Sequence, residues 1–420
     1  MRKSYFDTAN KNRFKSLGKR VAFYLGQAKN SYLKFVEYVK NFIDKIPKKF
    51  VRVFIILLLS FFSVMVFVNR EKFSPDYIGT FLVDSLAEFS FGPGFPQKTN
   101  GGKVNCENFK VIDKDVVLLS DLSLTTLNSS ASEMLQKQHS YQNPILKTCD
   151  TRAIIYDLGG KSLEITSKSK TLHNSSTDYN IISAAISNYG TFAIVTEAKG
   201  FLAQLTVLSK DSRNVYYRYN FANHYITDVA IRKDGWSSAV CGATANDGSV
   251  VSSVYVFDYN REEPLAKIDY NDNMFIRLEY LSNGNVVAIG DKLVSVINPS
   301  RGTHEDYSYD NKNIVGFDVN KKEGVLLALS LSEDGTNTDM VIIGQTGKLE
   351  KSFHTEHSVK AVSFNHHKLA ALSYGKVYVY NFVGHLLKSF DVGIDTKNIR
   401  LFSGKELYTL GLTDVNKIRF

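Results

Sequence analysis

Histidines and cysteines are the side chains best suited to hold a metal or to attack a substrate, and this chain has nine and three of them. His354 and His357 stand in the run HTEH with Glu356 between them, and His366-His367 follows nearby. The helical His-x-x-x-His spacing that turns two imidazoles toward one ion is absent. The run reads instead as a solvated loop between strands. Cys106, Cys149 and Cys241 are odd in number and far apart, which fits neither a disulfide framework nor a zinc site. Three buried free thiols are expected. DYNDN at 269–273 resembles the start of a calcium loop but lacks its glycine and distal glutamate, so it reads as a polar turn. Gly159-Gly160 lacks the Lys-Ser/Thr ending of a phosphate loop, and no nucleophile elbow occurs. No catalytic residue, cofactor or metal site is expected.

One constellation does recur, and it needs the elements that would carry it. From about residue 95, short β-rich runs alternate with Gly, Asn, Asp and Ser turns. Eight segments share a pattern of strand, turn, apolar strand, turn, strand. Their first strands begin near Phe109, Leu146, Ile182, Ile226, Ile276, Ile314, Val359 and Ile399, at intervals of 36 to 50 residues. That is the size of one four-stranded propeller blade. The last segment has room for three strands only. Residues near 95–104 can supply the fourth and close the ring, removing an open edge. The expected fold is all-β: an eight-bladed β-propeller over 95–420, with seven blades if the first segment, with its polar insert at 128–140, is irregular.

The residue one past each strand start is Lys110, Lys147, Ser183, Thr227, Arg277, Val315, Lys360 and Arg400. Five are cations, and innermost strands surround the channel. Lys110, Lys147, Arg277, Lys360 and Arg400 are therefore the candidate anion-binding ring, suited to a wall-polymer phosphate or an acidic partner loop. The competing expectation is structural pairing with carboxylates such as Asp113, Asp115, Asp150 and Asp228. Tyr216, Tyr217 and Tyr219 fall on an outer strand, as an interface patch or as strand packing. Trp236 is the only tryptophan, so the docking pattern of quinone-dependent propellers is missing.

The N-terminal quarter differs in kind. Residues 1–52 carry 14 Lys and Arg against 3 Asp and Glu, a net +11, whereas the whole chain is +9. The basic balance belongs to this tail alone, so no nucleic-acid partner is expected for the main domain. Apolar residues from Phe14 to Ile46 keep helical spacing, which makes 1–50 a basic amphipathic cytoplasmic segment suited to anionic lipid. VFIILLLSFFSVMVFV at 53–68 contains no charge. It predicts an uncleaved transmembrane helix over 51–69, with the N-terminus inside by the positive-inside rule. Ser74-Pro75-Asp76 starts a short juxtamembrane helix within 70–94. Its apolar residues Ile78, Phe81, Leu82, Leu86 and Phe89 pack on the exported domain or skim the outer leaflet.

The runs GFP (94–96), VLLSD (117–121), QHSYQNP (138–144), YDLGGKS (156–162), SKSK (167–170), TDVAIRKDG (227–235), VYVFDYNREEP (254–264) and GKVYVY (375–380) appear in a characteristic order and spacing. In these the chain resembles the bacterial domain of unknown function 5711 family. The resemblance implies one N-terminal membrane span, an exported β-propeller and a Gram-positive setting. It implies no catalytic residues. The resulting expectation is a membrane-anchored, non-enzymatic scaffold or binding module in the cell envelope, with an envelope protein or anionic wall polymer as partner. The alternative is an enzyme or sensor acting on an anion in the channel.

Overall fold

The computed structural model describes residues 48–68, 74–99, 102–246 and 248–420. The chain divides into two compact units, 1–74 and 75–420. The described part of the first is helix α1 (Lys48–Val68), free of Gly and Pro, whose apolar side chains from Val53 to Phe67 are mostly exposed. Side chains are described in α1 for Lys49 and for 52–67. Among the described residues, no helix is long and apolar enough to cross a membrane. Residues 1–47 of the basic segment expected at 1–50, and residue 69 at the end of the expected span, lie outside the described residues.

Among its described residues the second unit holds helix α2 (Pro75–Glu88) and thirty-two strands, β1 to β32 in chain order, arranged as eight four-stranded antiparallel sheets. The innermost strands are β2 (Val104–Ile112), β6 (Pro144–Thr148), β10 (Ile181–Ile186), β14 (Tyr225–Ile231), β18 (Phe275–Tyr280), β22 (Asn313–Asn320), β26 (Ala361–Asn365) and β30 (Asn398–Leu401). This is the eight-bladed propeller. Seven blades is excluded, because the segment with the polar insert forms a regular first blade in which the insert is a turn and an outer strand. Closure follows the expected route. The last blade has three strands from the C-terminus, and β1 (Gln97–Lys98) supplies the fourth, pairing Gln97 with Val415 and Lys98 with Asp414 on β32 (Asp414–Arg419).

Second strands such as DVVLLS (115–120) and GVLLALS (324–330) are buried along their whole length. Both of their faces meet neighbouring blades, so they show apolar runs rather than alternation. Each core cluster spans two blades. Val195, Leu205 and Val207 of the third, for example, pack on Val229, Val240 and Phe257 of the fourth. Outer strands such as THEDYS (303–308) face water and read as polar.

The innermost strands are edges, and their N–H groups need acceptors. The preceding blade supplies them from side chains. Asn108 accepts from Leu146 N at 2.9 Å, Asp228 from Leu278 N at 2.9 Å, Asp318 from Phe364 N at 2.8 Å and Ser363 from Leu401 N at 2.9 Å.

Candidate functional site

Antiparallel sheets of this kind send their turns alternately to the two ends of the channel. The turns between first and second strands, and between third and fourth, share one face. On that face α2 docks, and it docks by its polar side. Asp76, Thr80, Asp84 and Glu88 recur every four residues and form one stripe down the helix. Asp76 pairs with Lys210 at 2.6 Å. Asp84, nearly buried, accepts from Ser167 Oγ at 2.9 Å and from Ser169 N at 3.1 Å. Glu88 meets Lys168 at 2.7 Å and Lys114 at 3.3 Å. Burial pushes the Glu88 carboxyl up, but these two lysines hold it below its usual range. Asn128 Nδ2 donates to Glu88 O and Ser90 O, so the polar insert of the first blade receives the end of the helix. Ile78, Phe81, Leu82, Leu86 and Phe89 are all exposed. The expectation that they pack on the domain is corrected: the helix gives the propeller its charged stripe.

Beneath α2 lies the channel, a cavity of about 1140 Å³ lined by Tyr77, Thr80, Asp84 and Glu88 of the helix and by the innermost strands. Lys110, Lys147, Arg277 and Arg400 all line it. Lys360 does not. It sits just before β26, is exposed, and lies over the Tyr374 ring at 3.7 Å. The overlay misplaced it because its chosen start, Val359, lies two residues before β26 begins at Ala361. β10, β14, β18 and β22 each contain a bulge near their start, and β26 has none. The inward position of the seventh blade is Ser363. The bulge in β14 brings Asp228 to Lys147 where the overlay placed Thr227, and in β22 the residue lining the channel is Asp318, three past the overlay's Val315.

The cations fall into three situations. Lys147 reaches from the second blade across the third to the fourth: its Nζ donates to the Asp228 carboxylate, to Ser183 Oγ at 3.0 Å and to Val229 O at 2.8 Å. Ser183 Oγ also donates to Asp228, at 3.0 Å. Arg400 makes the mirror arrangement from the eighth blade. Its Nη1 meets Asp318 of the sixth blade at 3.2 Å, and Ser363 of the seventh donates to the same carboxylate at 2.9 Å. Two cation–serine–aspartate clusters thus face each other, separated by blades one and five. Burial pushes Asp228 up, yet Lys147 and Arg277 hold it below the ordinary range. Arg277 of the fifth blade is opposed by burial but kept firmly charged by Glu279, at 3.4 Å, and by Asp228.

Lys110 of the first blade is the third situation. Its side chain makes no hydrogen bond or ion pair among the described residues. It is half-buried within the lumen, and desolvation there, with repulsion from Arg277 and Arg400, lowers it to about 7 despite Glu279 and Glu107. Structural pairing therefore accounts for Lys147, Arg277 and Arg400, and leaves Lys110. Of the other expected carboxylates, Asp115 pairs with Lys168 at 2.9 Å and Asp150 accepts from Asn188 at 2.8 Å.

The histidines are separately employed. His354 Nδ1 meets Asp339 at 2.9 Å on an outer strand, and His357 stacks on Tyr378 at 3.8 Å. No group of three potential ligands gathers among the described residues. Cys149 and Cys241 are buried free thiols, whereas Cys106 is only half-buried, which corrects the expectation of three buried ones. Tyr217 and Tyr219 pack into the core between blades three and four, and only Tyr216 is exposed, stacked on Trp236.

The face remote from α2 carries the turns between second and third strands. Leu122, Leu158, Phe201, Val250, Leu331, Tyr374 and Leu412 lie at these turns in seven blades and are 41% to 74% exposed. The fifth blade has Asp291 and Lys292 there. Sequence reasoning missed this set. The signal was a large apolar residue beside this turn in seven of the eight repeats.

The profile of a family of unknown function, DUF5711, matches residues 97–420. No curated protein matches the sequence. Among solved structures, the chain is similar to the C-terminal WD40 domain of Sif2, with TM-score 0.56 at 11% identity, covering 78% of this chain and 99% of that one. It is also similar to Saccharomyces cerevisiae Sqt1, with TM-score 0.54 at 14% identity, covering 77% and 98%. At such identities the likeness is one of fold.

Proposed function

The chain belongs to the family of unknown function DUF5711, and on that premise we propose that it is a membrane-tethered, non-enzymatic scaffold of a bacterial cell envelope. Its extracytoplasmic propeller binds a partner protein on the face remote from α2. The observation that carries this reading is the ring of apolar turns. Each exposed apolar side chain forgoes about 25 cal/mol per Å² until it is covered. One such residue in seven of eight blades makes a repeated patch, and apolar patches of this kind mark interaction surfaces. Loops on a rigid ring are suited to recognition. The tether rests on the uncharged run 53–68 and the basic residues before it.

The test is in-cell crosslinking of the full chain from a photoreactive residue at Tyr374 or Leu412, with Lys388 on an outer strand as control. One dominant envelope protein, joined from the turns and not from Lys388, supports the scaffold. Background alone refutes it. Orientation is checked by external protease on intact cells, which should digest the propeller; a protected propeller overturns the topology.

Lys110 favours a second reading, a sensor or enzyme for a small anion in the channel. An anion beside Lys110 would supply the direct ion-pair partner that Glu279 and Glu107, acting only at longer range, do not.

A further inference from the structure

The polar stripe of α2 faces the propeller, and its apolar side faces outward. Two residues along a helix turn about 200°. Ile78, Leu82 and Leu86 are therefore set almost opposite Thr80, Asp84 and Glu88. Phe89 and Phe91 continue the apolar surface beyond the helix, and Phe91 is 96% exposed. An amphipathic helix of a globular domain normally buries its apolar stripe and offers its charges to water. Here the arrangement is inverted. Asp76 on Lys210, Glu88 on Lys168 and Lys114, and Asp84 on Ser167 and Ser169 fix the orientation, so the apolar side has no covering from the propeller.

We propose that this outward surface of α2, extended by Phe89 and Phe91, lies in the interface of a lipid bilayer and holds the α2 face of the propeller against the membrane. The occupant follows from chain continuity. Only six residues separate Val68, the end of the uncharged apolar run, from Pro75. At about 3.5 Å per residue, a bilayer crossed by that run is within reach of α2. Aromatic and aliphatic side chains on one side of a short helix, with the opposite side occupied by charge, suit burial about 5–10 Å into the headgroup boundary. The inference rests on the tethered reading above. It adds an orientation: the face with the apolar turns points away from the lipid, free for its partner.

The test uses the full chain in vesicles of phosphatidylcholine and phosphatidylglycerol with brominated acyl chains. An environment-sensitive fluorophore is placed at Leu86→Cys or at Leu412→Cys, each in a Cys106→Ser background. Cys149 and Cys241 are buried and do not compete for label. Both labelled positions are exposed, so neither change disturbs packing. At 86 the emission is expected to be blue-shifted and quenched by about half, as interfacial depth requires, and at 412 to be unaffected. If the chain resists carbonate extraction but neither position is quenched, the tether stands and the docking of α2 is overturned. A blue shift at 86 without bromolipid quenching means that protein or a second copy covers the helix, and also overturns it. Release of the chain by carbonate removes the tether reading itself.

Discussion

Replacing Asp228 by alanine is the sharpest probe of the two charge clusters. The carboxylate accepts from Lys147 Nζ, from Ser183 Oγ at 3.0 Å and from Leu278 N at 2.9 Å. Its removal leaves the Lys147 ammonium, whose side chain is 11% exposed, with only neutral partners. Breaking a buried pair in this one-sided way costs about 3–5 kcal/mol. Unfolding entropy of about 2.1 cal/mol/K per residue over roughly 320 residues gives about 0.7 kcal/mol/K, so Tm should fall by about 4–7 °C. Asp318→Ala should cost less, because Asp318 and Arg400 are 20% and 18% exposed and Arg400 keeps Phe109 O. Calorimetry or circular dichroism at pH 7 reads both. The pH dependence has a definite sign. Asp228 is depressed in the folded chain, so its contribution is present above the unfolded carboxylate pKa and is lost as pH falls through the folded one. The gap between wild type and Asp228→Ala should be level from pH 5 to 7 and narrow below about 4. The double change Lys147→Met with Asp228→Leu should recover most of the loss, since an apolar replacement of both partners is often neutral. A Tm change under about 1 °C for Asp228→Ala, or no recovery in the double variant, refutes the reasoning.

Four further outcomes are expected. Lys110 is lowered to about 7 from 10.5, so its neutral form favours folding; stability should climb between those pH values in wild type and climb less in Lys110→Met, read by urea midpoints. Inorganic phosphate should raise Tm at pH 6 more than at pH 9 if an anion occupies the channel, and an equal effect at both sinks the second reading. Asp84→Ala removes the acceptor for Ser167 and Ser169, at about 1–3 kcal/mol, and should speed amide exchange in 76–88 while leaving the blades protected; unchanged exchange argues that α2 is held otherwise. Tyr408, fully buried, stacks on Phe402 at 4.4 Å and donates to Lys114 O at 2.8 Å, so Tyr408→Phe should cost about 1 kcal/mol and Tyr408→Ala about 3–5, compared by denaturant midpoint.

The architecture was legible because a propeller repeats. Burial on both faces wrote apolar runs into the second strands, and turn residues punctuated them, so seven of the eight strand starts fell within two residues of their places. The missing fourth strand of the last blade pointed to residues near 95–104, and Gln97 and Lys98 fill that role. What was illegible was register. A single extra residue in β14 exchanges Thr227 for Asp228, in β22 the inward Asp318 stands three residues past the overlay's Val315, and bulges leave little trace in a sequence. Lys360 was misplaced because the start assigned to its strand, Val359, precedes β26 by two residues. The direction of α2 was equally hidden. Its apolar stripe was visible, but the lysines that claim the opposite stripe come from turns at 114, 168 and 210, far along the chain.

The closing strand has a mechanical consequence. The ring is shut by two paired residues, Gln97 and Lys98, supported by Thr99 N on Thr413 O at 2.8 Å. Such a short strand peels easily if its end is pulled. Any tension arriving from the chain before Pro75 must first cross α2, which is moored to three different blades by Asp76, Asp84 and Glu88. The helix therefore works as a strain relief, taking load on its moorings so that the clasp of the ring feels little of it.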